Sequence, residues 1–206
     1  MSQIALPFDW PAAESDRDFI VTPANSAAIR HMDHWSLWPL AVTILTGPRK
    51  SGRSFLGRIF AARSGAQLID GAERVDEERL FHAWNRAQAD HKPLLLIADA
   101  PVPIWEVTLP DLRSRLAATP HVAISNPDDA LIVALIERLM AARGLALGRD
   151  VASWISRRIE RSYIAVNRVV DALDEAAWSK RSRISVTVAR DALVRAGVIE
   201  DSSDLV

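Results

Sequence analysis

The stretch that decides the fold is Val42-Thr43-Ile44-Leu45-Thr46, then Gly47-Pro48-Arg49-Lys50-Ser51-Gly52-Arg53-Ser54, then Phe55 to Ala62. The first five residues are an apolar run typical of a buried parallel strand, and residues 55–62 have the pattern of a helix. The eight residues between them have the glycine spacing of a phosphate-binding loop, in which the backbone turns tightly and points successive N–H groups at phosphate oxygens. The order of strand, loop and helix therefore predicts a nucleotide-phosphate site at residues 47–54.

Arg53 stands where the common form of this loop has a lysine. A lysine ammonium is a compact charge that fits between phosphate groups, whereas a guanidinium is planar and larger. We therefore expect the loop to bind a nucleotide but to support catalysis poorly, so that the chain alone is not an efficient ATPase. The alternative is an ordinary glycine-containing turn without a ligand.

Composition limits the functions open to the chain. With 206 residues, 49% of them hydrophobic, it can bury one core plus a small second domain. Its 25 basic and 26 acidic residues give a net charge of −1, so we expect DNA to be reached only indirectly, through partners. It has no cysteine, no signal-peptide pattern and no apolar run of about 18 residues, which predicts a cytoplasmic protein without a membrane partner.

Apolar runs and helical patterns divide the chain into two folded parts. Four strand candidates alternate with helices up to Ser125, which indicates a parallel sheet covered on both faces, and only helical patterns follow. The strands are predicted at 42–46, 67–70, 94–98 and 121–124, and the helices at 26–35, 55–62, 77–90, 109–116, 126–143, 150–160, 163–178 and 187–196. The predicted organisation is an arm at 1–12, an α/β domain at 13–125, a small all-α domain at 126–198 and a tail at 199–206.

The sequence Asn126-Pro127-Asp128-Asp129 marks the start of the all-α domain. Asn126 is predicted to be the N-cap, with Pro127 in the first turn and the two carboxylates near the positive end of the helix dipole.

Two acidic residues end predicted strands, Asp70 and Asp99. Because ligands of open α/β sheets bind outside the carboxyl ends of the strands, both should converge on the phosphate loop. Asp70, with the Ser54 hydroxyl, is predicted to hold Mg²⁺, and Asp99 to polarise the terminal phosphate or an attacking water. Gly71 follows Asp70 where an efficient ATPase would have a second acidic residue. The alternative for both carboxylates is helix capping or loop hydrogen bonding.

Residues 109–116, Leu-Pro-Asp-Leu-Arg-Ser-Arg-Leu, place Arg113 and Arg115 two positions apart in a predicted short helix. At that spacing the two side chains point to different faces, so one can be anchored while the other projects. A projecting arginine at a subunit edge could act on the nucleotide of a neighbouring molecule. The alternative is a solvated surface arginine.

Together these features resemble the AAA+ ATPase family, and more narrowly the Hda regulators in its DnaA-related branch. Four segments carry the resemblance. The first is the loop ending in Gly-Arg-Ser, and the second is the stretch 109–116, which is similar to an arginine-finger box. The third is the stretch 80–86 together with the strand at 94–98 and Asp99. The fourth is Gln3-Ile4-Ala5-Leu6-Pro7-Phe8, which resembles the peptide that docks on the sliding clamp.

The resemblance implies a fold, ligands and partners. The fold is an AAA+ α/β domain with a shortened, mostly parallel sheet, followed by a helical lid. The ligand is ADP or ATP, and the presence of Mg²⁺ is left open. The resemblance also implies a lid arginine that reaches the phosphates. Arg161 is our candidate for it, and an ungapped comparison puts Ile164 at that position. The partners are DnaA and the β subunit of the DNA polymerase III sliding clamp, and a homodimer is open. Residues near the adenine base would be Phe19, Ile20, Val21 and Asn25, and those on the clamp Gln3, Leu6 and Phe8.

Two departures from the family pattern refine the expected function. About a dozen residues separate Ser54 from Gln67, so we expect one strand and one helix to be missing there, which leaves four strands. No helix-turn-helix pattern follows the lid, so a replication initiator is not expected. The prediction is a clamp-bound regulator whose Arg115 promotes hydrolysis of ATP held by DnaA. The alternatives are a nucleotide-independent adaptor and an independent ATPase.

Overall fold

The computed structural model describes residues 19–180 and 184–200. Its sheet contains four parallel strands, in the spatial order β2-β3-β1-β4. Their bounds are β1 Val42–Thr46, β2 Gln67–Asp70, β3 Leu94–Ile97 and β4 His121–Ala123. The prediction of a shortened parallel sheet is confirmed.

Eight helices surround or follow the sheet in the described part of the chain. Their bounds are α1 Ser26–Asp33, α2 Arg53–Ser64, α3 Glu77–Asp90, α4 Pro110–Ala118, α5 Asp129–Ala142, α6 Arg149–Ser156, α7 Tyr163–Lys180 and α8 Val186–Arg195. Short 3₁₀ turns lie at Trp35–Leu37 and Ala72–Arg74. None of the described helices combines the length and apolar character needed to cross a membrane.

β1 lies at the centre of the sheet, between β3 and β4, and all five of its residues are buried. Successive strand residues face opposite sides of a sheet, so the apolar run of β3 can supply two cores at once. Leu95 packs on the side of α1 and α2, and Leu94 and Leu96 pack on the side of α3 and α4. Because β1 is held in this way, the loop after Thr46 leaves from the middle of the sheet's carboxyl edge.

Helices α5 to α8 build their own apolar core, in which Ile136, Ile155 and Leu173 are fully buried. We call this four-helix unit the lid. It is joined to the sheet by Leu131 and Tyr163, which pack in the same cluster as Leu45 and Ile97 of β1 and β3. The lid is therefore held against the carboxyl edge of the sheet, beside the phosphate loop.

The start of the lid differs from the prediction. Asp128, not Asn126, is the N-cap of α5, and its carboxylate accepts a hydrogen bond from the Leu131 N–H at 2.7 Å. Asn126 and Pro127 therefore lie before the helix, and the Asp128 carboxylate pairs one of the N–H groups that the first turn leaves free. Other ends shift by a few residues: α2 begins at Arg53 instead of 55, and α6 ends at Ser156 instead of 160.

The predicted arm at 1–12 and residues 201–206 of the predicted tail lie outside the described residues. So do the proposed clamp-binding residues Gln3, Leu6 and Phe8.

Candidate nucleotide site

The phosphate loop is shaped by two glycines. Gly47 has φ +154°, and a Cβ there would come within 2.8 Å of the Ile124 carbonyl oxygen. Gly52, with φ +86°, lies under the Phe19 ring, 3.2 Å from where a Cβ would be. A larger residue at either position would strain the backbone or displace a neighbour. The loop between them is closed by a hydrogen bond from the Ser51 N–H to the Pro48 carbonyl at 3.2 Å, and leaves Arg49 and Lys50 exposed.

The loop ends where α2 begins, and its groups suit an anion. Gly52 is the N-cap of α2 and supplies no side chain to the first N–H groups of the helix. The Ser51 Oγ is buried and has no hydrogen-bond partner. Helix N-termini attract anions because their N–H groups are unpaired and the helix dipole is positive there. The unpaired hydroxyl beside this terminus therefore fits a phosphate oxygen, and Ser54 follows in the first turn of the helix.

Arg53 is held by the neighbouring strand. Its guanidinium donates hydrogen bonds to the Ala98 carbonyl and to Asp99 Oδ1, the latter at 2.7 Å, and its side chain is only 12% exposed. The hydrogen bond from Arg53 lowers the pKa of the Asp99 carboxyl, against the opposing effect of burial. The structure thus brings Asp99 to the phosphate loop, but through Arg53. The cation that would meet phosphate is engaged at the end of β3.

The segment predicted to lie near adenine packs against the loop. Phe19 stacks on Phe55 with ring centroids 6.0 Å apart and an interplanar angle of 13°. Asn25 is buried and closes the turn after Ile20, donating to its carbonyl at 2.7 Å and accepting from the Thr22 N–H at 2.9 Å. Val21 points elsewhere: it is 60% exposed and lines a separate groove between α1 and α2.

A cleft of about 280 Å³ lies between this segment, the phosphate loop and the lid. Of the predicted nucleotide residues it brings together the following six: Phe19, Ile20, Asn25, Lys50, Ser51 and Gly52. Its lid wall, which the sequence reasoning missed, consists of Leu131, Leu135, Arg138 and Leu139 of α5 and Tyr163, Val166 and Asn167 of α7. The four α5 residues follow helical spacing, and that periodicity was the available signal.

Tyr163 ties the lid to the sheet beside the cleft. Its hydroxyl donates to the Ser125 carbonyl at 3.2 Å, just beyond β4. Burial, with a smaller contribution from the charge of Asp128, raises the pKa of Tyr163 to about 12. The phenol therefore stays protonated as a donor at neutral pH.

The candidate lid arginine lies away from the cleft. The Arg161 guanidinium pairs with both carboxylate oxygens of Asp129, at 3.1 and 3.0 Å, and its side chain is 67% exposed. Neither Arg161 nor Ile164 lines the cleft, whereas Arg138 does.

Asp70 also lies outside the cleft. It ends the edge strand β2, is exposed, and lines a groove beside α3 with Arg79 and Arg86. Within the described ranges no group of three or more His, Cys, Asp or Glu side chains is arranged to hold a metal. A magnesium site formed by Ser54, Asp70 and nucleotide phosphates stays a prediction.

Arg115 lies on the α3 side of the sheet, apart from both the cleft and the groove beside Asp70. Its guanidinium carbon lies 4.8 Å from the Trp84 ring centroid and 5.1 Å from that of Phe81. Arg113 of the same helix is exposed. The start of α4 is fixed by Glu77, whose carboxylate accepts from the Thr108 and Leu109 N–H groups at 2.8 and 2.6 Å. Arg115 is thus positioned by two contacts with α3, away from the residues that line the cleft.

Comparison with known proteins agrees with this architecture. Residues 128–193 match the family model described as Hda, lid domain. An uncharacterised Haemophilus influenzae protein is 28% identical over 111 residues, 53% of this chain and 48% of that protein. The chromosomal replication initiator protein DnaA of Lactobacillus helveticus is 24% identical over 143 residues, 68% of this chain and 30% of that protein. The chain therefore spans about half or less of the length of these relatives.

Solved structures share the fold at low sequence identity. Domain III of Thermotoga maritima DnaA superimposes with a TM-score of 0.72 at 13% identity, covering 91% of this chain and 98% of that one. AMPPCP-bound DnaA from Aquifex aeolicus superimposes with a TM-score of 0.64 at 14% identity, covering 88% of this chain and 67% of that one. The chain thus resembles Hda in its lid and the replication initiator DnaA in part of its sequence, and its fold is that of DnaA domain III.

Proposed function

We propose that this chain restrains replication initiation by binding the DNA polymerase III sliding clamp and stimulating hydrolysis of the ATP bound to DnaA. The observation that carries the proposal is the engagement of Arg53 by Asp99, which leaves the chain's own phosphate loop without a free cation at the usual lysine position. A loop of this kind suits nucleotide sensing better than rapid turnover, because phosphoryl transfer depends on cations placed around the transferring group.

In this proposal the cleft binds ADP or ATP. The Ser51 hydroxyl and the first N–H groups of α2 would hold the phosphates, and Phe19, Ile20 and Asn25 would border the base. A bound Mg²⁺ would neutralise phosphate charge, with Ser54 and Asp70 as the candidate ligands. The bound nucleotide would then set the position of the lid, whose helices α5 and α7 line the cleft.

Arg115 is the residue we assign to the partner's nucleotide. It lies on a different face from the chain's own cleft, as an arginine acting in trans requires, and Phe81 and Trp84 hold its guanidinium. Stacking on an aromatic face leaves the edges of the guanidinium plane able to donate hydrogen bonds. Recruitment to the clamp is assigned to Gln3, Leu6 and Phe8.

The direct test measures turnover of ATP bound to DnaA, with the clamp loaded on DNA. We expect the intact chain to accelerate turnover and Arg115→Ala to remove the acceleration, by about 10³-fold if the arginine acts as a transition-state cation. Arg113→Ala is the matched control, because it removes the same charge from the exposed face of the same helix, and it should retain stimulation.

Clamp binding by the same variants separates a lost contact from misfolding. Arg115→Ala should bind the clamp as the unmodified chain does, and Gln3→Ala with Leu6→Ala and Phe8→Ala should not. Unchanged DnaA-ATP turnover in the presence of the unmodified chain would contradict the proposal.

Two other functions give different results in simple experiments. An independent ATPase would hydrolyse ATP unaided at about 1 s⁻¹ or faster. A nucleotide-independent adaptor, which the engagement of Arg53 also permits, would show no heat on titration with either ADP or ATP while still stimulating DnaA.

A further inference from the structure

A cluster of two arginines on one tryptophan lies in the lid, at the junction of α6, α8 and residues 198–200. The Arg158 guanidinium carbon is 4.4 Å from the Trp154 ring centroid, and that of Arg190 is 5.7 Å from the same centroid. With Val198, Ile199 and Glu200 these residues line a cleft of about 450 Å³. We call it the arginine cleft. None of its residues belongs to the nucleotide cleft or contacts Arg115.

The two cations share one indole ring. Arg158 donates to the Trp154 carbonyl at 3.1 Å, which places it at the C-terminal end of α6, and the Arg190 guanidinium lies over the same ring. Within the described residues, neither arginine forms an ion pair, although Glu200 lines the same cleft. Both guanidinium carbons lie within about 6 Å of one ring centroid, so the two positive charges repel each other. A bound anion would relieve that repulsion.

The remaining wall of the cleft indicates the kind of anion. Val198 and Ile199 are apolar, half-buried and packed on the lid core, so they offer a surface that a phosphate backbone would not use. Glu200 in the wall and the net charge of −1 both disfavour a polyanion such as nucleic acid. A carboxylate beside an apolar side chain matches both parts of the cleft, because a guanidinium pairs with carboxylates in a fixed fork geometry.

We propose that the arginine cleft docks a partner-protein segment in which an acidic residue is followed by an apolar one, with the carboxylate on Arg158 and Arg190 and the apolar side chain on Val198 and Ile199. This surface is additional to the clamp and DnaA contacts of the proposed function. Its chemistry is complementary to the charges and apolar groups that line the cleft, and neither nucleotide nor Arg115 is needed for it.

The test uses the full chain and a fluorescein-labelled peptide, Gly-Asp-Leu-Asp-Leu-Gly, followed by fluorescence anisotropy. We expect saturable binding that weakens about tenfold when both aspartates are replaced by asparagine, and about tenfold when both leucines are replaced by glycine. Failure to saturate at about 1 mM chain would overturn the proposal.

Variants of single arginines locate the binding. Arg190→Gln should weaken the peptide about tenfold, since that side chain is exposed and its guanidinium lies over the Trp154 ring in the cleft. Arg157→Gln is the matched control, because Arg157 is an exposed neighbour of Arg158, and it should change affinity by less than about twofold. Equal weakening by both variants would mean general charge attraction and would sink the idea. Arg158→Gln is a second variant, accompanied by a thermal unfolding curve because Arg158 also contacts the end of α6.

Two competing occupants have their own outcomes. Labelled oligothymidylate that binds more tightly than the peptide and loses affinity with Arg190→Gln would make the cleft a nucleic-acid site. A chain ended after Glu200 that binds the peptide about tenfold more tightly would show that residues 201–206 occupy the cleft. Either result would replace the partner-segment proposal.

Discussion

At the scale of single residues, the pairing of Arg53 with Asp99 decides how the phosphate loop can behave. Arg53, at the usual lysine position, donates hydrogen bonds to the Asp99 carboxylate and to the Ala98 carbonyl, just after β3. In the proposed function, a nucleotide that uses Arg53 would have to compete with Asp99 for it.

Replacing Asp99 with Asn should make ADP bind several-fold more tightly. The amide no longer carries the charge that holds Arg53, so the guanidinium is held less firmly and can reach the phosphates more easily, a gain of order 1 kcal/mol for an exposed partner. Isothermal titration calorimetry would measure the change. Asp70→Asn is the control, because Asp70 lies outside the cleft and its removal should leave ADP affinity in the absence of Mg²⁺ unchanged. Weaker binding by Asp99→Asn would show that Asp99 itself serves the nucleotide.

At the scale of elements, Glu77 couples two helices. It lies in the first turn of α3, and its carboxylate holds the two N–H groups that immediately precede α4. These hydrogen bonds lower the pKa of Glu77. A carboxyl whose pKa is lower in the folded state stabilises the fold above its unfolded value of about 4.3, and that stabilisation is lost as pH falls through the folded pKa.

Glu77→Gln should therefore flatten the dependence of unfolding free energy on pH below about pH 5. An amide oxygen can accept one hydrogen bond, but the amide nitrogen cannot accept the other, so α4 is also held less firmly at neutral pH. Urea denaturation between about pH 3.5 and 7 would measure the slope. Glu78→Gln removes the adjacent exposed carboxylate and serves as the control. The same slope in the Glu77 variant and the unmodified chain would contradict the assignment.

The positions of strands and of the phosphate loop could be predicted from the sequence, whereas contacts between distant side chains could not. Strand positions were recoverable because β1 and β3 are continuous apolar runs buried on both faces, and the loop was recoverable from its glycines. The predicted N-cap of α5 was wrong, because Asn126 and Asp128 are both capping residues and the helix uses Asp128, the one nearer its apolar residues. Contacts between distant side chains, such as the Arg53–Asp99 pair across 46 positions, depend on strand order and rotamer, which no local pattern encodes.

At the scale of the whole molecule, the lid and the sheet are joined beside the nucleotide cleft. Leu131 and Tyr163 share an apolar cluster with the strands, and the Tyr163 hydroxyl bonds to Ser125. Because the cleft is walled by both parts, any ligand there contacts the joint itself. Such a ligand would meet the lid at α5 and α7 and not at Arg161, which is paired with Asp129 on the surface.

Tyr163→Phe should lower the free energy of unfolding by about 1 kcal/mol, the usual net value of one hydrogen bond, while keeping the ring in its cluster. Trp178→Phe is the control, because Trp178 is 84% exposed, and should change stability by less than about 0.5 kcal/mol. Urea titrations at pH 7 would measure the difference between the variants, and equal loss in both would contradict the role of the hydroxyl.

The raised pKa of Tyr163 also predicts how the stability of the unmodified chain depends on pH. The contribution of the protonated phenol to the free energy of unfolding is fully present below about pH 10 and is lost as pH rises toward about 12.

The position of β2 at the rim of the sheet has a consequence for solubility. Its outer side has no partner strand among the described residues, so its backbone N–H and C=O groups could pair with a strand of another molecule. The strand is only four residues long, and both of its end residues, Gln67 and Asp70, are polar and exposed. Short length and a terminal charge are features that natural sheets use against edge-to-edge aggregation. We therefore expect the charge of Asp70 to disfavour pairing of β2 with a strand of another molecule.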